Sequence, residues 1–140
     1  MTSQPLPAPG RHLRRGRLTD AQGIYELSLR ALHQSAARSY TSAELEAWAS
    51  LRTLASHQQM IRETFLLVAE SPHGVCGFAN LVVETGLVDQ LFVDPAAGGR
   101  GVATRLLAGL EERAVSAGLA RLVASATRQG GRFAQSRLSQ

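Results

Sequence analysis

The sequence has no lysine, and all 15 of its basic residues are arginine. A Walker-type phosphate loop needs a Gly-Lys pair followed by Ser or Thr, so the lack of lysine excludes that class of nucleotide site. The sequence also has a single cysteine, Cys76, which cannot form a disulfide within the chain. Because no histidine or basic residue adjoins Cys76, we expect a small buried strand residue rather than a reactive thiol.

Long hydrophobic runs are missing as well. No apolar stretch approaches the roughly 20 residues that span a bilayer, and the first residues are polar and proline-bearing, unlike the core of a signal peptide. We therefore expect a cytoplasmic protein without a membrane partner. The four histidines show no spacing typical of metal ligands, so no metal site is predicted.

The formal net charge is +4. An excess of positive charge favours polyanionic partners such as nucleic acid. The arginines are spread along the chain apart from the run in residues 11–17, and no aromatic residues alternate with them as a platform for stacked bases. Charge alone thus supports a nucleic-acid partner only weakly, and a phosphorylated cofactor explains part of the excess equally well.

Length and composition indicate one domain. The chain has 140 residues, of which 44% are hydrophobic and 19% charged, as is typical of a soluble globular domain. Residues 1–11 are proline-bearing and are predicted to be a disordered leader. Residues 12–126 form the predicted domain. Residues 127–140, rich in Arg, Gln, Ser and Gly, are predicted to be a divergent and disordered tail.

Three helices are predicted in the first half of the chain, after a short strand in residues 12–18. A capping box at Thr19–Gln22 begins the first helix and another at Thr41–Glu44 begins the second, while the third spans residues 54–61. The first helix has an apolar face with a spacing of three and four residues. The residues of this face are Ala21, Ile24, Leu27, Ala31 and Leu32.

Strands dominate the second half. Residues 64–70, 75–84 and 87–93 are apolar runs separated by tight turns, which predicts an antiparallel meander. A helix over residues 102–117 follows, and then a strand over residues 119–125. Because a helix connects the last two strands, we expect them to be parallel.

The segment between Leu91 and Thr104 leads from a strand through a glycine-rich turn into a helix. Such a turn exposes consecutive backbone N–H groups at a positive helix end, which suits an anion, and Arg100 adds a charged donor. A plain tight connection is the alternative interpretation. A dinucleotide fingerprint is excluded, because Gly99-x-Gly101 is followed by Thr104 where the third glycine is required.

These residues resemble the GNAT superfamily of acyl-CoA-dependent N-acyltransferases, whose pyrophosphate loop reads Gln/Arg-x-x-Gly-x-Gly/Ala. Gly101-Val102-Ala103 supplies the Gly-x-Ala, whereas Gly98 occupies the Gln/Arg position. The order of predicted elements in residues 13–125 is also similar to that of the family. The resemblance implies an α/β (α+β) fold: a mixed, mostly antiparallel sheet with flanking helices, here lacking the final strands.

The resemblance further implies an N-acetyltransferase that moves an acetyl group from acetyl-CoA to an amine of a small molecule or peptide by direct attack in a ternary complex. Acetyl-CoA would lie between the strands at 87–93 and 119–125, which separate at a bulge. The implied binding residues are Leu91, Phe92 and Val93 for the pantetheine arm, and Gly99, Arg100, Gly101, Val102, Ala103 and Thr104 for the pyrophosphate.

The attacking amine must lose a proton, and carboxylates are the candidate bases. Alternation along the strand would place Asp89, Leu91 and Val93 on one face, with Glu84 nearby across a turn. Asp89 is the first candidate and Glu84 the second. An exposed or ion-paired edge residue is an equally good interpretation of Asp89.

His33 and Tyr40 fall in a region that contributes to the acceptor site in proteins of this kind. The resemblance therefore implies that both contact the acceptor, while half-buried surface residues remain the plainer interpretation.

The family pattern ends before the carboxyl terminus does. Relatives continue with Phe-Tyr-x-x-x-Gly-Phe, whose Tyr protonates the departing thiolate, but here Phe133 is followed by Ala134. We therefore expect a shortened chain, and a non-catalytic acyl-CoA-binding or interaction module derived from an acetyltransferase is the alternative function. An unpaired edge on the strand at 119–125 predicts a homodimer or poor solubility.

Overall fold

One mixed sheet organises the chain in a computed structural model that describes residues 12–36, 41–97, 101–124 and 136–137. The first half contains strand β1 and three helices: β1 (His12–Arg15), α1 (Ala21–Ala36), α2 (Ser42–Ser50) and α3 (Leu54–Glu63). The second half contains five strands and one helix: β2 (Phe65–Ser71), β3 (Gly74–Val82), β4 (Leu87–Val93), α4 (Val102–Ser116), β5 (Arg121–Ala124) and β6 (Ser136–Arg137).

The strands are arranged in chain order, β1-β2-β3-β4-β5-β6. Strands β1 to β4 pair antiparallel, and β4 pairs parallel with β5. The predicted mixed, mostly antiparallel sheet with flanking helices is therefore confirmed, as is the parallel pairing across α4. The bounds of β4 are those predicted, and those of the other predicted elements differ by one to three residues.

Helices cover both faces of the sheet and make two apolar cores. On one face α4 packs with Val102, Leu106, Leu110 and Ala114, and Cys76 is buried in this cluster as expected. On the other face α1 and α3 pack over Leu66, Val68, Phe78 and Phe92. All five residues of the predicted α1 face are at most 3% exposed. Strand β4 thus lies between two cores.

The predicted cap of α2 is confirmed, whereas that of α1 is wrong. The Glu44 N–H donates to Thr41 Oγ1 at 3.1 Å, and the Thr41 N–H donates to Glu44 Oε1 at 2.8 Å. Before α1, a 3-10 turn spans Leu18–Asp20, and Asp20 Oδ2 accepts the Arg17 N–H at 2.7 Å. Asp20 rather than Thr19 caps this turn, because hydrogen bonds from an arginine on β1 position the Asp20 carboxylate there.

That arginine is Arg14, whose guanidinium joins three elements. It donates two hydrogen bonds of 2.8 Å to the Asp20 carboxylate before α1, and one of 3.0 Å to Glu70 on β2. The Arg14 hydrogen bonds hold the pKa of Asp20 below its ordinary value of 3.8 and also lower the pKa of Glu70. A paired, largely buried carboxylate at this position fastens α1 to the edge of the sheet.

The carboxyl-terminal segment is described only at Ser136–Arg137, where β6 pairs antiparallel with Arg121 and Leu122 of β5. The edge of β5 that was predicted to be unpaired is therefore covered at these two positions. The predicted leader and the rest of the predicted tail lie outside the described residues, except for Ser136 and Arg137.

In the described segments, no helix combines the length and hydropathy needed to cross a membrane. Within the same segments, His, Cys, Asp and Glu side chains form no group of three or more that could hold a metal ion.

We predict that Asp20→Asn lowers the free energy of unfolding by roughly 1–3 kcal/mol at neutral pH, because a charge-assisted pair is lost. The pKa of Asp20 in the folded protein lies below its ordinary value of 3.8. The Asp20 carboxylate therefore contributes its full share of stability above pH 3.8, and this share is lost as the pH falls through the lower pKa of the folded state. Denaturant unfolding at pH 7, 5 and 3 should show the two proteins converging towards acid pH. Glu26→Gln on the exposed side of α1 serves as control, and a pH-independent deficit in Asp20→Asn would contradict the assignment.

Candidate functional site

The central feature of β4 is a β-bulge. Asn80 of β3 lies opposite Gln90, but the next residue, Leu81, lies opposite Val88. Asp89 is therefore an extra residue on β4 that faces no single partner on β3. A bulge bends the strand locally and changes which face the following side chains occupy.

Because of the bulge, the side chains of β4 do not occupy the faces of the sheet that strict alternation predicts. Val88 belongs to the buried cluster on the α4 side, and Leu91 and Val93 pack against the same cluster. The spacing from Val88 to Leu91 is three residues, so simple alternation fails between them. The prediction that Asp89 shares a face with Leu91 and Val93 is wrong, because the bulge shifts the register by one residue at Asp89.

A buried polar relay holds this bulge. The Asn80 side chain is 0% exposed, and its Oδ1 accepts the backbone N–H of Gln90 at 2.8 Å. Its amide nitrogen donates to Thr64 Oγ1 at 3.2 Å, and the Thr64 hydroxyl donates to the Met60 carbonyl at 2.7 Å. Sequence reasoning did not identify Asn80, although a single polar residue in the apolar run of β3 was a visible signal.

Beyond the bulge, β4 offers main-chain groups on its far edge. The Asp94 N–H donates to the Cys76 carbonyl at 2.7 Å, which makes these residues a hydrogen-bonded pair. Alternation of the antiparallel ladder then directs the main-chain groups of Leu91 and Val93 away from β3, and those of Phe92 towards Phe78. Among the described residues, β5 pairs with β4 only at Leu87 and Val88. Two of the three residues predicted for the pantetheine arm therefore present their backbone, and Phe92 does not.

Helix α4 begins beyond the carboxyl end of β4, at Gly101. Gly101 is the N-cap, with a φ of +75°, and a Cβ at this position would meet no atom of the described residues beyond its chain neighbours within 4 Å. This position adjoins the first N–H groups of α4, at the positive end of the helix. Of the predicted pyrophosphate residues, Val102 is buried, Ala103 half-buried and Thr104 exposed. Gly99 and Arg100 lie outside the described residues.

Asp94 fixes the start of the connection between β4 and α4. Its Oδ1 accepts the Ala96 N–H at 3.0 Å, and its Oδ2 accepts from Arg30 of α1, also at 3.0 Å. The ion pair therefore holds the second half of α1 beside the end of β4. His33, one turn further along α1, is exposed, and its Nδ1 lies 2.8 Å from the Leu29 carbonyl. His33 thus lies in the half of α1 that Arg30 joins to β4, while Tyr40 lies outside the described residues.

The two candidate bases differ in their position along β4. Asp89 is exposed at the bulge, within the strand. Glu84 is exposed in the turn before β4. At about 3.3 Å per residue, this turn lies at the opposite end of the strand from Gly101 and α4. Asp89 is therefore closer to the free main-chain edge of Leu91.

Arg52, which sequence reasoning also missed, covers the bulge from the segment between α2 and α3. Its Nη1 donates to Gln90 Oε1 at 2.9 Å, and its guanidinium carbon lies 4.8 Å from the centre of the Phe92 ring. Burial lowers the pKa of Arg52, and the negative charge of Asp89 opposes that effect. The pairing of Arg52 with Gln90 joins residues 38 apart in the sequence, so no local pattern predicts it.

His57, the one buried histidine among the described residues, packs in the core rather than in the site. It is 1% exposed, and its Nδ1–H donates to the Thr53 carbonyl at 2.7 Å. Its ring lies 5.4 Å from that of Tyr25 and 6.3 Å from that of Phe78. Burial lowers the pKa of His57, which favours the neutral form in this apolar setting.

Comparison with known proteins gives consistent results. Residues 36–134 match the family described as acetyltransferase (GNAT) domain. A GCN5-related N-acetyltransferase from Rhodopseudomonas palustris is 26% identical with a TM-score of 0.81, covering 94% of this chain and 81% of that chain. The PaiA N-acetyltransferase from Thermoplasma acidophilum, solved with coenzyme A, is 16% identical with a TM-score of 0.77, covering 86% and 82%.

A third solved structure, YncA from Salmonella typhimurium, is described as a putative acetyltransferase with its cofactor acetyl-CoA. It is 23% identical with a TM-score of 0.56, covering 81% of this chain and 68% of that chain. No curated protein matches the sequence.

We predict that Asn80→Leu destabilises the protein by roughly 1–3 kcal/mol, because the Gln90 N–H and the Thr64 hydroxyl lose a buried partner. Native-state hydrogen exchange should accelerate more at the Gln90 amide than at Phe92. Thr64→Val is the matched control, since it removes the outer part of the relay and keeps the Asn80–Gln90 bond. Equal acceleration at Gln90 and Phe92 would show that Asn80 does not hold the bulge.

Proposed function

Because this chain belongs to the GNAT family of acetyltransferases, we propose that it transfers the acetyl group of acetyl-CoA to an amine of a small molecule or peptide. The observation that carries the proposal is the backbone edge of β4 after the bulge, at Leu91 and Val93, with which no strand in the described part of the chain pairs. Solved structures with the same fold contain coenzyme A or acetyl-CoA.

Two parts of the chain suit acetyl-CoA. The free main-chain groups of Leu91 and Val93 match the amide groups of a pantetheine arm, as an added strand would. The N-terminus of α4 at Gly101 suits the pyrophosphate, because its N–H groups and helix dipole favour an anion. We infer that the donor lies along β4 with its phosphates towards α4.

Acetyl-CoA supplies an activated thioester carbonyl. A main-chain N–H of Leu91 or Val93 would stabilise the negative charge that develops on the carbonyl oxygen during attack. The acceptor amine forms the new C–N bond while the C–S bond breaks, and the sulfur leaves with the electron pair and takes up a proton. Direct attack within a ternary complex requires no covalent bond to the protein.

Asp89 is the proposed base that accepts the proton from the amine. It is exposed at the bulge, so an amine or a bridging water can reach it, and it lies two residues before Leu91. Glu84 is the second candidate and sits in the turn at the start of β4. His33, in the half of α1 that Arg30 joins to β4, and Tyr40 remain proposed acceptor contacts.

A non-catalytic acyl-CoA-binding module is the second candidate function. The position that carries the proton-donating Tyr in relatives is Ala134 in this chain, so this residue cannot protonate the departing sulfur. Binding of acetyl-CoA without turnover against a broad panel of amines would support the module. Release of coenzyme A that depends on an added amine would support the enzyme.

We predict that Gly101→Glu weakens acetyl-CoA binding at least ~10-fold, equivalent to about 1.4 kcal/mol, because it puts a negative charge beside the proposed pyrophosphate site. Calorimetric titration of the full chain measures the affinity. Gly118→Glu, after the other end of α4, is a matched control: the φ of Gly118 is +81° and a Cβ there also meets no atom of the described residues beyond its chain neighbours within 4 Å. Equal affinities of the two variants would place the phosphates elsewhere.

We further predict that Asp89→Asn lowers kcat/KM for acetyl transfer by about 100-fold or more, since a general base typically contributes that much. Its affinity for acetyl-CoA should remain unchanged, because Asp89 is not in the proposed binding groups. Glu84→Gln should retain near-normal turnover in the same coenzyme A release assay. The reverse result, with activity lost in Glu84→Gln alone, would assign the base to Glu84.

A further inference from the structure

The Arg52 side chain makes two contacts with β4, at the bulge and just after it. Its Nη1 hydrogen-bonds to the side chain of Gln90, and its guanidinium lies over the ring of Phe92. Both partners are neutral, so neither compensates the positive charge. The contacts hold the guanidinium in place and leave most of its N–H donors without a partner in the described part of the chain.

No carboxylate side chain in the described part of the chain forms an ion pair with Arg52. The sequence contains 11 acidic residues, and each of them falls within the described segments. The ion pairs found among these segments include those of His12, Arg14 and Arg30, and none uses Arg52. The Nε of Arg52 is buried without a hydrogen-bond partner. The negative charge of Asp89 acts on Arg52, but no described carboxylate lies close enough to form an ion pair with it. Guanidinium donors that are partly desolvated and unfilled are costly to keep, which suggests that a ligand supplies an anion.

The surroundings indicate what kind of ligand this is. Asp89 and Gln90 are consecutive residues of the bulge, so the proposed base and the residue that holds Arg52 are adjacent. The Asp89 carboxylate, which suits an amine, and the Arg52 guanidinium, which suits an anion, therefore lie close to each other. This arrangement complements a small zwitterion and opposes an acceptor with several positive charges.

We propose that Arg52 binds a carboxylate of the acceptor, so that the acceptor is a small amine that also carries a carboxylate, such as an amino acid. The inference rests on the proposed acetyltransferase function. Charge-assisted hydrogen bonds from the free donors of Arg52 orient the carboxylate, and the amine of the same molecule faces Asp89. Arg52 thereby determines specificity.

The test compares matched acceptors, each an amino acid and its primary amide, in the full-length chain. The measured quantity is the ratio of kcat/KM for the acid to that for the amide. In Arg52→Gln this ratio should fall about 10- to 100-fold, with little change for the amide. The different basicities of the two amines cancel, because the same pair is compared in both proteins.

Three variants define the outcome. Arg52→Lys keeps the charge but not the planar fork, so the ratio should fall less than in Arg52→Gln. Arg62→Gln removes an exposed arginine from the last turn of α3 and should leave the ratio unchanged. Acetyl-CoA affinity and thermal unfolding report whether each variant is folded. An unchanged ratio in folded Arg52→Gln would overturn the inference.

A binding measurement separates this inference from the proposed function. Titration of the full-length chain with an N-acetyl amino acid, and with its amide, is followed at the Arg52 Nε–H signal by NMR. The acid should shift this signal and the amide should not. If the N-acetyl amino acid binds but no acceptor is acetylated, the proposed catalysis is wrong and the anion site is supported. Equal shifts of the Arg52 signal with the acid and with the amide would overturn the anion site.

Discussion

The hydrogen bond from the Gln90 backbone to the Asn80 side chain is the constraint around which the site is arranged. A fully buried amide must pair both its donor and its acceptor, and Asn80 does so by bridging Thr64 on one side and β4 on the other. Because its acceptor takes a backbone N–H of β4, the strand takes in one extra residue, Asp89, beside it. Leu91 and Val93, after the bulge, then pack on the α4 side, and the polar residues Asp89 and Gln90 lie together beside Arg52.

The two apolar cores give this bulge a rigid setting. The α4 core packs Val88 and Leu91 from one side, and the α1–α3 core packs Phe92 from the other. The Arg30–Asp94 ion pair joins the second half of α1 to the end of the same strand. Side-chain packing from both cores thus holds the part of β4 at Leu91 and Val93, where no strand within the described segments pairs with its outer edge.

Local patterns predicted much of the fold. The spacing of apolar residues in α1, the bounds of β4 and the capping box at Thr41 follow from short-range rules, and the structure confirms them. Non-local contacts account for the differences. The cap of the turn before α1 moved to Asp20 because Arg14 on β1 binds it. The face of Asp89 was mispredicted because Asn80, nine residues earlier in the sequence, sets the register. The glycine-rich turn was visible in the sequence, whereas Arg52 reaches the site only through folding.

Arginine at position 52, unlike lysine, is not readily acylated by a thioester. A thioester acylates amines, and a lysine held beside the bulge would itself be a nucleophile competing with the acceptor. A guanidinium stays protonated under all ordinary conditions and does not compete in this way. The positive charge that lies over Phe92 is therefore not a nucleophile, and the residue proposed to hold the acceptor does not compete with it for the acyl group.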